Sequence, residues 1–243
     1  VTDSSKTLIA AVLDRSGSMQ SSVSATQEGF DELINGQKKE PGSALVTLTQ
    51  FDDVYEVVYT NKPIDEVPKL SLVPRGMTAM LDGIGKLITE TGAELAKLPE
   101  DERPGTVICL IMTDGGENSS REWTWAKVKE LITEHQEKYS WKFIFIGANI
   151  NAEAVGGNLG LNRDQVMQFN SHDHLANRSV YASVSNYTSQ LRGGASVAVA
   201  AAAAFTPEAR LEAMGDELPP QEPQSKNKGF GKGLGRALAD SKK

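Results

Sequence analysis

Leu8-Ile9-Ala10-Ala11-Val12-Leu13 is an unbroken apolar run that stops abruptly at Asp14. A strand with one wet face alternates polar and apolar residues, so a continuous run of this length predicts a strand covered on both faces. Residues 7–13 are therefore read as the first strand. Further strands are read at 44–51, 55–59, 106–112 and 141–147, with a weaker one at 165–169. Between them lie stretches with helical spacing, such as Phe30, Leu33 and Ile34 within 24–38. Further helices are predicted over 78–96, 122–139, 152–159 and 172–191.

Prolines punctuate the connections: Pro63, Pro68 and Pro74 precede the second helix, and Pro99 and Pro104 bracket the loop after it. Only Asp52-Asp53-Val54 separates the second and third strands. That is too short for a crossover, so the pair is predicted to be an antiparallel hairpin. The remaining alternation of strand and helix implies a parallel sheet between two helical layers. The expected fold is α/β, a doubly wound, Rossmann-like, mostly parallel six-stranded sheet with one antiparallel edge strand and helices on both faces. Ligands of such sheets sit beyond the carboxyl ends of the strands, near the point where strand order reverses.

After Gly193-Gly194 the pattern changes. Residues 195–204 are rich in Ala and Val, 207–214 suit one short helix, and Pro219-Pro220-Gln221-Glu222-Pro223 breaks regular structure. The remainder carries Lys226, Lys228, Lys232, Arg236, Lys242 and Lys243 among glycines, opposed by Asp240. The expected organisation is an N-terminal segment (1–6), one domain (7–192), and a flexible Ala/Gly-rich, basic C-terminal extension (193–243). Such a tail suits an acidic partner, nucleic acid or anionic lipid, with a solvated chain as the default.

Composition narrows the function classes. The net charge of −7 argues against nucleic-acid binding by the main domain. No stretch is long and apolar enough to span a bilayer, so no membrane insertion is expected. Val1-Thr2-Asp3-Ser4-Ser5-Lys6 lacks the basic-then-apolar layout of a secretory signal, with a mature secreted form whose signal has been removed as the alternative. Cys109, the sole cysteine, lies among Ile108, Leu110 and Ile111 and reads as a core residue. These features fit a cytoplasmic protein.

Candidate chemistry concentrates at predicted strand ends. Asp14-Arg15-Ser16-Gly17-Ser18 brings one carboxylate and two hydroxyls to the end of the first strand. Asp114 ends the fourth strand in Thr113-Asp114-Gly115, a plausible neighbour of the first, and Thr78 lies where a loop meets the second helix. Asp14, Ser16, Ser18, Thr78 and Asp114 together form a set of hard oxygen donors suited to a small divalent cation. Taken singly, each residue also suits a turn or a helix cap. Convergence of all five on one edge is what favours a ligand.

These motifs, with their spacing and the hairpin between them, resemble a von Willebrand factor A (VWA) domain over roughly residues 7–190. In that family the five positions form the metal-ion-dependent adhesion site (MIDAS). The resemblance implies that Ser16 and Ser18 bind the ion directly and that Thr78 does so in the ligand-engaged state. Asp14 and Asp114 would act mainly through bound water. It further implies Mg²⁺, with Mn²⁺ as a substitute, and a protein partner whose Asp or Glu carboxylate completes the coordination. Members that change shape exchange Thr and Asp ligation and shift the last helix. Intracellular members commonly serve as subunits of multiprotein assemblies, which here suggests a bacterial or phage-infected cell.

Residues near the site have humbler readings. Asp82 either orients Thr78 or complements the helix dipole. Asp52 and Asp53 are turn acids, and Glu117 and Asn118 are hydrated loop residues that rim the site. His135, His172 and His174 are surface histidines. Enzyme readings find little support: there is no G-x-x-x-x-G-K-[ST] loop, and Ser16 stands where a phospho-aspartate hydrolase would need a second carboxylate. The first strand-to-helix turn offers Gly17 alone rather than G-x-G-x-x-G. The glycines of 229–235 follow a proline cluster and no strand. A non-catalytic binding module is expected, with a scaffold subunit as the alternative and a Mg²⁺-dependent phosphoesterase behind both.

Overall fold

In the computed structural model of the chain, which describes residues 1–215, the first strand begins earlier than its apolar run. β1 (Asp3–Asp14) includes residues expected to lie outside the domain, because the Asp3 N–H donates to Arg103 O at 2.9 Å. The chain continues through α1 (Val23–Gln37), β2 (Ser43–Phe51), β3 (Tyr55–Pro63), α2 (Met80–Lys97), β4 (Pro104–Thr113), α3 (Trp125–Tyr139) and β5 (Lys142–Ala148). It closes with α4 (Ala152–Asn158), β6 (Val166–Phe169), α5 (His174–Arg192), α6 (Val197–Ala204) and α7 (Pro207–Met214).

The sheet has six strands in the order β3-β2-β1-β4-β5-β6. β1 pairs in parallel with both β2 and β4, and β3 runs antiparallel to β2 at one edge. The central position of β1 explains its unalternating sequence. Ile9, Ala11 and Leu13 face one layer with Phe30, Leu33, Tyr181 and Tyr187, while Leu8, Ala10 and Val12 face the other with Ile84, Leu87 and Ile132. Successive residues thus feed opposite cores. Cys109 is fully buried in the second. Strand order reverses between β1 and β4, where the register pairs Leu13 with Met112. Asp14 and Asp114 consequently emerge together at the carboxyl edge.

The stretch after Gly193 departs from expectation. Residues 193–215 are not a flexible extension: α6 and α7 dock on the domain, burying Ala200, Ala201, Ala204, Phe205 and Ala213. The Phe205 ring lies 4.6 Å from that of Tyr187, and Asn186 Nδ2 donates to Ala203 O at 3.1 Å. Arg210 donates to Val166 O and Arg163 O, each at 2.8 Å. It thereby occupies one main-chain acceptor on β6, the last strand of the sheet, and one just before that strand. The basic segment from Lys226 onward lies outside the described residues. Among those described, no helix is long and apolar enough to cross a membrane.

Candidate metal centre

Three loops meet at the carboxyl ends of β1 and β4, and main-chain hydrogen bonds fix them to one another. Gly17 N–H donates to Gly76 O at 3.2 Å and Arg75 N–H to Arg15 O at 2.9 Å, joining the loop after β1 to the one before α2. On the other side, Thr78 and Asn118 exchange two bonds. Thr78 N–H donates to Asn118 Oδ1 at 2.9 Å, and Asn118 N–H donates to Thr78 O at 3.0 Å.

All five predicted oxygen donors converge here. Asp14 is fully buried, its Oδ1 accepting from Ser16 N–H at 2.7 Å and its Oδ2 from Thr113 Oγ1 at 2.6 Å. Ser18 Oγ donates to Asp114 Oδ1 at 2.5 Å and lies 3.0 Å from Ser16 Oγ. A Cβ placed on Gly115 would sit 3.2 Å from Thr78 Oγ1 and 3.4 Å from Ser18 Oγ, so the absence of a side chain at 115 leaves a small cradle beside both hydroxyls. Ser16, Asp14, Thr78 and Asp114 are buried, whereas Ser18 is exposed.

The capping alternative fails for the hydroxyls it would have used. Ser16 precedes the 3₁₀ turn Gly17–Ser21 without a side-chain capping bond, and α2 is capped at Ala79, likewise without one. Hydroxyls that cap nothing are available to a ligand.

Electrostatics fit a cation. Burial pushes the Asp14 carboxyl up to about 6, against the stabilising bonds from Thr113 and Ser16, and the nearby charge of Asp114 adds to the rise. Burial raises Asp114 too, opposed by the Ser18 bond and by the charge of His172. Two desolvated carboxylates beside three hydroxyls form a hard, anionic donor set, the type that Mg²⁺ and Mn²⁺ prefer. Among the described residues no three or more His, Cys, Asp or Glu side chains group to hold a metal ion, here or elsewhere, so the site rests on two carboxylates and three hydroxyls.

Several supporting residues differ from their sequence readings. Asp82 does not orient Thr78: its carboxylate faces the chain leading into α3 and accepts from the N–H groups of Arg121, Glu122 and Trp123 at 2.8–3.0 Å. Thr78 is held by Asn118 instead. Glu117 is no hydrated loop acid, since it accepts from Ser119 N–H, Ser120 N–H, Ser120 Oγ and Leu81 N–H. It thus ties the loop after β4 to the start of α2. Asp52 is not a solvated turn acid: it is only 1% exposed and pairs with Arg15 and Arg75. His135 is half-buried against Trp141 (ring centroids 4.5 Å apart), whereas His172 and His174 are exposed. Thr113, beside Asp114 in the Thr113-Asp114-Gly115 motif, is the supporting residue the sequence signals, because a hydroxyl there is placed to meet the carboxylate across from it on β1.

No protein-family model matches the sequence, and no curated protein does either. Solved structures do share the fold. Proximal thread matrix protein 1 from the mussel byssus, with a zinc-occupied MIDAS motif, aligns with a TM-score of 0.53 at 20% identity, covering 75% of this chain and 46% of that one. A von Willebrand factor type A protein from Catenulispora acidiphila gives 0.51 at 15%, covering 74% and 42%. The pilus adhesin SpaC from Lactobacillus rhamnosus GG, in its open conformation, gives 0.56 at 14%, covering 76% and 30%. This chain spans less than half the length of each. Its fold is the VWA fold.

Proposed function

We propose that this chain is a metal-dependent protein-binding module, in which Asp14, Ser16, Ser18, Thr78 and Asp114 hold a Mg²⁺ ion and a partner's Asp or Glu carboxylate completes the site. The observation that carries this reading is the convergence of two buried carboxylates and three non-capping hydroxyls beside Gly115. When bound, the ion supplies positive charge and a coordination position for an anionic group. The rest falls to the chain itself. Asp14 and Asp114 provide the balancing negative charge, Thr113 fixes the orientation of Asp14, and Asn118 fixes the backbone of Thr78. Zinc in the MIDAS of the mussel protein supports a divalent ion at this edge of the fold.

The module is non-catalytic in this reading. His135 is engaged with Leu131 O at 2.8 Å and Trp141, away from the carboxyl edge, and Ser16 replaces the second carboxylate that phosphoryl transfer would call for. We place it in the cytoplasm of a bacterial or phage-infected cell, as a subunit that joins a larger assembly through the ion.

Affinity capture with the full chain tests this, comparing Mg²⁺ with EDTA and wild type with Asp14→Ala. Partners retained in Mg²⁺ and released by both EDTA and the substitution are expected. Identical partners under all conditions would instead indicate a scaffold, and a phosphoesterase activity lost on Asp114→Ala would indicate an enzyme.

A further inference from the structure

The proposed site is assembled from separate loops, and one buried carboxylate outside the five donors grips two of them. Asp52 Oδ2 accepts from Arg15 Nε at 2.9 Å and from Arg75 Nε at 2.8 Å. Its Oδ1 accepts from Val54 N–H at 2.6 Å, and its main-chain oxygen accepts from Ala79 N–H at 2.8 Å. Arg15 lies between Asp14 and Ser16 in the loop after β1, while Arg75 stands three residues before Thr78. The hairpin turn is therefore the common anchor of the Ser16/Ser18 half and the Thr78 half.

We infer that Asp52 is a positioning residue that sets the spacing between these two halves, an inference that rests on the metal-binding reading above. Charge placement supports it. Arg15 is only 6% exposed, its Nη2 has no hydrogen-bond partner, and its other charged contact is Glu56, at 2.6 Å on the half-exposed β3. A buried ion pair of this kind is seldom retained for net stability, because an apolar replacement of equal volume serves as well. What it does provide is a fixed arrangement on the Arg15 side, since that guanidinium cannot leave Asp52 without stranding buried charge, while the more exposed Arg75 adds the second tether. That constraint acts along the main chain on Ser16 from one side and on Thr78 from the other. Groups behind a metal site commonly change its affinity 10- to 100-fold without touching the ion.

The test is Mn²⁺ affinity of the full chain, read by electron paramagnetic resonance at fixed salt, alongside thermal unfolding in EDTA. Asp52→Asn keeps the shape and removes the charge. Arg75→Met removes one tether from a side chain that is 58% exposed, so it folds even if Asp52→Asn does not. Affinity is expected to fall about 10-fold in Asp52→Asn and several-fold in Arg75→Met, with the metal-free melting temperature of Arg75→Met within a few degrees of wild type. A purely structural role would lower the melting temperature and leave affinity unchanged. Less than a twofold change in Arg75→Met and in any folded Asp52→Asn, while Ser16→Ala abolishes binding, would overturn the positioning role alone. Wild type that binds no Mn²⁺, or loses none on Ser16→Ala, would overturn the metal reading and this inference with it.

Discussion

Gly115→Ala puts a methyl group into the cradle beside Ser18 and Thr78, and it should weaken metal binding while leaving the metal-free fold nearly unchanged. The new Cβ would meet Thr78 Oγ1 at 3.2 Å and Ser18 Oγ at 3.4 Å, so the hydroxyls must shift by a few tenths of an ångström. Gly115 is not among the residues in the left-handed region, so alanine fits its backbone. Replacing glycine at such a position restricts the unfolded chain and contributes about 0.4–1 kcal/mol to stability. The tight contact opposes that gain, leaving metal-free stability within about 1 kcal/mol of wild type. Metal binding has no such compensation. Mg²⁺ demands near-ideal octahedral oxygen geometry at about 2.0–2.1 Å, and displacement of two donors is expected to weaken binding about 10- to 100-fold, or about 1.4–2.7 kcal/mol. Titration calorimetry with Mn²⁺ and urea unfolding in EDTA measure the two effects separately. Wild-type affinity in a Gly115→Ala protein of normal stability would refute the idea that Ser18 and Thr78 share a ligand beside residue 115.

Other expectations concern the carboxylates and the closing helices. The Asp14 carboxyl is raised from 3.8 to about 6, so its neutral form favours the metal-free fold below about pH 4 and that contribution is lost as pH rises through 6. The stability advantage of Asp14→Asn over wild type in EDTA should therefore grow from near zero at pH 4 to about 3 kcal/mol at pH 7, and a flat difference would contradict it. Thr113→Val removes a buried bond to Asp14 of 2.6 Å and should cost about 1.5–3 kcal/mol by urea unfolding at pH 7. Phe205→Ala removes a ring that is 5% exposed and tilted against that of Tyr187. A loss of about 3–5 kcal/mol is expected, and a change below 1 kcal/mol would mean that α6 and α7 contribute little to the domain.

Much of this molecule was legible before its coordinates, for identifiable reasons. Strands buried on both faces write themselves as continuous apolar runs, and the short Asp52–Val54 link permitted only a hairpin. Asp14 and Asp114 stood out because they close two such strands, so their meeting required only that the strands be neighbours, whereas Thr78 is brought in by the loop before α2. Asp52 and Glu117 were obscured because a lone acid in a turn looks solvated when its partners lie far along the chain: Arg15 is 37 residues from Asp52, and Leu81 is 36 from Glu117. Asp82 misled in another way. Its position one turn after Thr78 suggested a local contact, whereas the carboxylate serves the chain at 121–123. The docking of α6 was hidden by its composition, since the near-uniform Val197–Ala204 has no polar face from which to read a buried one. Only Phe205, a large apolar residue beside it, signalled that the segment had a surface to cover.

The proposed function depends on one divalent ion being held by oxygen donors at the carboxyl ends of β1 and β4. The most direct test is a Mn²⁺ titration of the full chain followed by electron paramagnetic resonance, with Mg²⁺ as competitor. One bound Mn²⁺ per chain is expected, displaced by Mg²⁺ and lost when Ser16 and Ser18 are both changed to Ala. No bound Mn²⁺ in wild type, or undiminished binding after both serines are removed, would contradict the account.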